Sequence, residues 1–316
     1  MIRFFIRLIA LALVASLPVP LQAQKPETTE KISKSFKVGP SGTIDINNMS
    51  GKVVVNPGGP DTIVVEALKR VRGNVADPKD QLARTTVEMA ERAGRIEVRT
   101  TYAGRDLKVS VDYTVTAPAG TTVMVRSMSG DITVTGIKGE VRADTMSGNV
   151  TLTATPAVSL AKTMSGDVTV TGVSTQGELR AASLSGDVVI RSARARAVDA
   201  DSTSGNVTLS DVTSDRITGK TISGEVSFTG PLAKGGRYQF QSQSGDVQLF
   251  LVGTQGFELD ASTFSGGVRS DFPLTLPAGQ PVGGQATRKS LRGVFGDGGA
   301  TLLLRAFSGD ISIVKK

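Results

Sequence analysis

Cysteine, histidine and tryptophan are all missing from the chain. Without cysteine there is no thiol nucleophile, no disulfide, no thiolate metal ligand and no lipoprotein anchor. Without histidine the commonest general base and the commonest transition-metal ligand are gone. Aromatic residues make up only 4%, which leaves little to stack on sugars or bases. Charge of one sign does not gather. Lys and Arg total 36 against 29 Asp and Glu, a net +7, but the cations stand singly, with no basic run and no interleaved aromatics. That argues against a nucleic-acid partner. The mild basicity suits a solvated surface, or weak attraction to anionic envelope polymers and lipid headgroups.

Long hydrophobic runs are also scarce, and the one that stands out is at the start. MIRFFIRLIALALVASLPVPLQAQ carries Arg3 and Arg7, then an apolar run from Leu8 to Leu17, then small residues around Leu21-Gln22-Ala23. An apolar core this short does not cover ~30 Å of hydrocarbon, so the segment reads as a signal peptide over 1–23 and not as a span. Cleavage after Ala23 would remove Arg3 and Arg7 and lower the net charge from +7 to +5. The mature chain is then expected to be secreted, to the periplasm or the cell surface, with no transmembrane span.

What is abundant is one phrase. RSMSGDI, DTMSGNV, KTMSGDV, ASLSGDV, STSGNV, KTISGEV, QSQSGDV and TFSGGV follow one another, with NMSGKV and AFSGDI nearer the ends. Their serines, Ser129, Ser147, Ser165, Ser185, Ser204, Ser223, Ser244 and Ser265, stand 18, 18, 20, 19, 19, 21 and 21 residues apart. A period near twenty over a Val-, Thr- and Ile-rich sequence of period two predicts a β-solenoid.

Alignment on the serine gives the coil. Four residues earlier stand Val125, Ala143, Ala161, Ala181, Ala200, Gly219, Phe240 and Ala261; two earlier there is always Ser or Thr; three later there is always Ile or Val. These columns predict two short strands per coil of about 18–21 residues, each with one inward face. Each column would stack on itself at ~4.8 Å. The Ser-Gly pair joins the two strands, and looser turns such as TGIKGE, TGVSTQGE and SDVTSDR join one coil to the next. A buried Val or Leu contributes about 1.5–3 kcal/mol, offset by chain entropy, so several stacked coils are needed for a stable unit.

The expected organisation is therefore all-β: 24–120 as a less regular N-terminal β region, 121–270 as the regular solenoid, and 271–316 as a loop plus C-terminal capping hairpin. In the first region GTIDINN, KVVVNP and DTIVVEAL alternate as strands. Asp77 to Arg84 reads as a short helix capped by Asp77, and TVEMAERAGRIEVRTTY as a hairpin across Ala93-Gly94. DFPLTLPAGQPVGGQATRKS reads as a long loop or edge, followed by a closing hairpin and a last coil. Atypical end units would cover the open edges of the stack.

The repeated SGD[VI]x[VIL] phrase, the YTVTAPAG segment at 113–120 and the final AFSGDISIV together resemble the bacterial DUF4097 family, whose members carry an adhesin label. The resemblance covers roughly the whole mature chain. It implies an exported β-solenoid of the envelope or cell surface, with no enzyme activity, no catalytic residues and no cofactor to carry over.

Each column of the phrase could carry chemistry. Asp131, Asn149, Asp167, Asp187, Asn206, Glu225 and Asp246 could share a hard cation such as calcium. The preferred reading is turn chemistry, in which Asp and Asn side chains tie local backbone N–H groups. The serine column lacks the adjacent base that a nucleophile needs. Gly130, Gly148, Gly166, Gly186, Gly205, Gly224, Gly245 and Gly266 are structural corner residues where a Cβ would clash. The residue before each serine is the open case: Met128, Met146, Met164, Leu184, Thr203, Ile222, Gln243 and Phe264. Strict alternation points it outward, as an apolar interaction stripe. The preferred reading is that these side chains fill the corner of the core, because exposed apolar patches are uncommon on soluble monomers. Outward Thr-x-Thr pairs at Thr133/Thr135, Thr151/Thr153 and Thr169/Thr171 resemble ice-binding faces, although Thr is also an ordinary outward β residue.

The function expected from the sequence is non-enzymatic: a surface-interaction or scaffold protein meeting an envelope protein, glycan or surface. The alternative is an accessory or sensor subunit of an envelope-stress pathway that binds one protein. A polysaccharide-cleaving solenoid would need clustered carboxylates on long loops, which these short coils do not offer.

Overall fold

The computed structural model describes residues 28–92, 94–104, 107–275 and 289–316. The expected signal peptide, and most of the Pro/Gly-rich segment after Leu274, lie outside the described residues. In chain order the strands are β1 (Thr29–Lys37), β2 (Thr43–Ser50), β3 (Val53–Pro57), β4 (Thr62–Val71), β5 (Thr85–Arg92), β6 (Arg95–Tyr102), β7 (Val109–Ala117), β8 (Thr122–Ser129), β9 (Ile132–Thr135), β10 (Val141–Ser147), β11 (Val150–Thr153), β12 (Val158–Ser165), β13 (Val168–Ser174), β14 (Glu178–Ser185), β15 (Val188–Ser204), β16 (Val207–Ser223), β17 (Val226–Pro231), β18 (Arg237–Ser244), β19 (Val247–Val252), β20 (Phe257–Ser265), β21 (Val268–Ser270), β22 (Ser290–Phe295), β23 (Ala300–Ser308) and β24 (Ile311–Lys315). The one helix among the described residues, α1 (Pro78–Ala83), starts at Asp77, whose carboxylate accepts from the N–H groups of Lys79 and Asp80. None of the described helical residues form a stretch long and apolar enough to cross a membrane.

The strands stack as coils in two parallel ladders. On one side of the corner β8, β10, β12 and β14 pair in register, with Val141 on Val123 and Ala143 on both Val125 and Ala161. On the other side β9, β11 and β13 do the same, with Val150 on Ile132 and Val168. Alternation makes one face of each strand the core: Val123, Ala143, Ala161, Ala181 and Ala200 are buried from one side, Ile132, Val150, Val168 and Val188 from the other. Where the sheets must also hold rings, small residues make room. A Cβ at Gly219 would stand 2.8 Å from the ring of Phe240, which stacks at 5.3 Å on Phe228.

The structure departs from the expected layout in three places. First, β2, β3, β6 and β7, within the expected N-terminal region, continue the same stack. Strand β2 lies directly on β8, with Ser50 on Ser129, and β6 lies on the far side of β2; β3 and β7 repeat this in the other ladder. Antiparallel strands then close the edges, β5 on β6, β4 on β7 and β1 on β4. Second, SDVTSDR is not a loose turn. Strands β15 and β16 each run through a sharp bend, at Ser192 (φ 51°) and Asp211 (φ 56°), and carry on as paired strand. Val212, Ala193 and Val173 turn inward there, giving the coil a third short side.

Third, the C-terminal closure is not a hairpin. Strand β23 does not pair with its chain neighbour β22. It lies between β18 and β20, parallel to both, while β22 runs antiparallel on the outer side of β20. Strand β24 is likewise held between β19 and β21. The last coil of the chain is therefore the second-last of the stack. The N-terminal end mirrors this, since β2–β3 form the first coil along the chain but lie between β6–β7 and β8–β9. Each terminal coil is hydrogen-bonded on both sides.

A buried polar group fixes the first coil. Asn48 donates to the carbonyls of Gly51 (2.9 Å) and Val111 (3.0 Å). The Thr100 hydroxyl donates to Asn48 Oδ1 at 3.1 Å and accepts from Tyr113 at 2.7 Å. Burial pushes the Tyr113 hydroxyl from 10.0 up to about 12. The fold therefore favours the neutral phenol. Its contribution is complete below pH 10 and is lost as pH rises from 10 towards 12. Tyr113→Phe is expected to cost about 1–2 kcal/mol at neutral pH, because a buried partner is lost. It should also flatten the fall in stability over that alkaline window, as read from denaturant unfolding at several pH values.

Candidate functional site

The Ser-Gly-acid phrase forms one continuous corner along the stack. At each step the Gly N–H donates to the serine carbonyl of the next coil, as from Gly148 to Ser165 at 2.8 Å, and the following Val N–H donates to the next acid's carbonyl, as from Val150 to Asp167 at 2.9 Å. That leaves the N–H of the acid position itself. The side chain of the previous coil's acid takes it: Asn149 N–H donates to Asp131, Asp167 to Asn149, Asp187 to Asp167, and Asn206 to Asp187, all at 2.7–2.8 Å. The turn-chemistry reading therefore holds with one correction. The partner is the equivalent residue one coil on, not a local N–H. Asn accepts as well as Asp, which is why Asn149 and Asn206 can break up the run of like charges. Asp167→Asn is expected to be nearly neutral, whereas Asp167→Ala should cost about 1 kcal/mol by stranding the Asp187 N–H, read from melting curves of the two variants.

Inside the corner, the Ser or Thr two positions before the serine is buried and bonds to a glycine carbonyl of the neighbouring coil. Thr163 donates to Gly148, Ser183 to Gly166, Ser202 to Gly186, Thr221 to Gly205 and Ser242 to Gly224, at 2.8–2.9 Å. The glycines themselves sit back to back. A Cβ on Gly166 would lie 2.4 Å from the Gly148 carbonyl oxygen, and Gly166 has φ 133°. The sequence pattern did not reveal a second bend column seven residues after the serine: Gly136, Ala154, Gly172, Ser192 and Asp211 all have positive φ between 51° and 75°. Two glycines in that column were the available signal, and the three other side chains hid it.

Outside the corner, the preferred reading of the sequence is overturned. Met128, Met146, Met164, Leu184, Ile222 and Phe264 do not fill the core; they are exposed, from 42% at Met164 to 66% at Phe264. The reason is that the buried Ser/Thr and the three-later Val already occupy the inside of the bend, so strict alternation wins. Met49 and Phe307 join the row by register, and the rings of Phe307 and Phe264 stack at 4.9 Å. The result is one apolar ridge along the whole stack, interrupted at Thr203 and Gln243. Its N-terminal end borders an open groove of about 420 Å³ with Asn47, Arg99 and Arg126 beside Met49, Met128 and Met146. The serines of the phrase sit exposed beside this ridge, with no histidine or cysteine anywhere in the chain to activate them.

The two broad faces differ from the ridge. Thr133, Thr151 and Thr169 stand in one register row and Thr135, Thr153 and Thr171 in another. Arg126, Asp144 and Lys162 line up on the opposite ladder.

The model of the family described as Toastrack DUF4097 matches residues 41–314. The chain belongs to the DUF4097 family. No curated protein matches it significantly. Among solved structures, a "putative adhesin" of Bacteroides fragilis is 12% identical, with a TM-score of 0.41, over 90% of this chain and 97% of that one. A "putative adhesin" of Parabacteroides distasonis is 11% identical, with a TM-score of 0.40, over the same shares of the two chains. A "putative cell adhesion protein" of Clostridium sporogenes is 8% identical, with a TM-score of 0.26, over 92% of this chain and all of that one. For this DUF4097 chain the repeated phrase is thus the corner of a β-solenoid.

Proposed function

We propose that this DUF4097 chain is an exported, non-enzymatic scaffold of the bacterial envelope that meets an extended surface through its flat faces. The observation that carries the reading is the in-register repetition of outward polar rows, Thr133/Thr151/Thr169 beside Thr135/Thr153/Thr171, on a rigid stack. Over these three coils identical hydroxyls repeat at ~4.8 Å, before Val189 and Arg191 end the rows, which suits a repeating polymer or a glycan-covered surface better than one small ligand. The signal-like N-terminal segment agrees with a place outside the cytoplasm.

The test is retention of the mature chain, residues 24–316, on intact cells and on purified envelope glycan. The reading expects broad, salt-tolerant retention that falls several-fold in Thr151→Glu/Thr169→Glu, with the melting temperature unchanged. Capture of one stoichiometric envelope protein, with no retention on cells or glycan, would instead establish the sensor reading and overturn this one.

A further inference from the structure

We propose that the apolar ridge is the seam of a parallel homodimer, in which two copies dock corner to corner about a two-fold axis running along the stack. The occupant is identified by the charges on the two flanks of the ridge. On one flank stands the residue three before each serine; on the other stands the acid position two after it. In five coils the two are matched, and in two more, Ala182/Asp187 and Gln241/Asp246, only the second flank is charged. Arg126 goes with Asp131, Lys162 with Asp167 and Lys220 with Glu225; where the first flank is acidic, at Asp144 and Asp201, the second is neutral, at Asn149 and Asn206. No coil in this series puts like charges on both flanks.

The alternation relieves repulsion within each column. A two-fold axis along the stack uses it again between molecules. That operation keeps every coil at its own height and exchanges the flanks, so each copy lays its Arg126, Lys162 and Lys220 against the partner copy's acidic row. Asp144 and Asp201 then face amides. Between the flanks Met128, Met146, Met164, Leu184 and Ile222 meet their own counterparts, which removes half-exposed apolar side chains from water. The alternative two-fold, perpendicular to the stack, would set acidic row against acidic row. An anionic membrane would meet the same row and be repelled. The seam leaves the broad polar faces free.

A ridge one side chain wide makes a narrow interface. Association should therefore be measured by sedimentation from about 1 µM to about 300 µM, the range in which interfaces below about 1,200 Å² reveal themselves. A reversible monomer–dimer equilibrium is expected, weakened at least about tenfold by Lys162→Glu/Lys220→Glu, since each substitution faces an acid twice by symmetry. Because the chain has no cysteine, single substitutions then read the geometry. Met146→Cys and Met164→Cys should each oxidise rapidly to homodimers, Thr151→Cys on the flat face should not, and a mixture of Met128→Cys and Phe264→Cys chains should give no cross-linked heterodimer. A chain that stays monomeric with no ridge-specific cross-link overturns the proposal. So does a Met128–Phe264 cross-link, which would make the pairing antiparallel, or an association indifferent to the charge reversal.

Discussion

A chain truncated after Gly299 is expected to lose far more than the coil it deletes. In a solenoid threaded in order, removing the last coil uncovers one edge and leaves the rest standing. Here β23 is sandwiched between β18 and β20, and β24 between β19 and β21. Truncation removes the buried Leu302, Leu304, Ile311 and Ile313, each worth about 1.5–3 kcal/mol of burial. It also strips Ser244 and Ser265 of their register partner Ser308 and takes away the Gly309 carbonyl that holds Thr263. The outermost coil, Phe257–Ser270, then keeps only the single antiparallel strand β22 and is cut off from the rest of the stack. The expected result is loss of amide protection through 237–270 as well as poor soluble yield, measured by hydrogen–deuterium exchange. Protection over 237–270 equal to that of the full chain would mean that the terminal coil is peripheral and that the threading described above is not what holds this end.

Gly148→Val is the second large effect. Two costs add. The residue has φ 132°, a region that side chains rarely adopt, and a Cβ there would meet the Gly130 carbonyl carbon and oxygen at 2.5 Å. Both contacts are backbone, so nothing flexible can yield. Strain and overpacking together put the penalty at about 3–5 kcal/mol. For a chain of this size that corresponds to a fall in melting temperature of roughly 10 °C. Gly73 is the control. It also has positive φ, 72°, but nothing lies within 4 Å of a Cβ built on it, so Gly73→Ala should cost only about 1–2 kcal/mol.

The register of the coil was legible because its period is written in residues that cannot be exchanged: Val on the inside, Ser or Thr at the bend, Gly where backbones touch. Column by column, Ala143, Val150 and Thr145 lie where the alignment puts them. The threading of the ends was not legible. AFSGDISIV is spelled like any other coil, and nothing in a spelling says which two neighbours it will lie between; that is decided by long-range pairing. The bends at Ala154, Ser192 and Asp211 were hidden because side chains tolerate φ near 50° at modest strain, so glycine is not required. The ridge was read the wrong way round because a general scarcity of exposed apolar patches was set against local alternation. In a strand that is buried on both sides of the bend, alternation is the stronger constraint.

The account stands on the corner having a structural inside and a free outside, and neighbouring residues test it together. Melting curves of Met146→Glu and Gly148→Val, measured side by side on residues 24–316, give the answer. A surface substitution stays within about 0.5 kcal/mol, so the account predicts a Met146→Glu curve within a degree or two of the parent and a Gly148→Val curve far below it. Equal, large losses would place Met146 in the core, and two unchanged curves would mean that the stacked-glycine register is wrong.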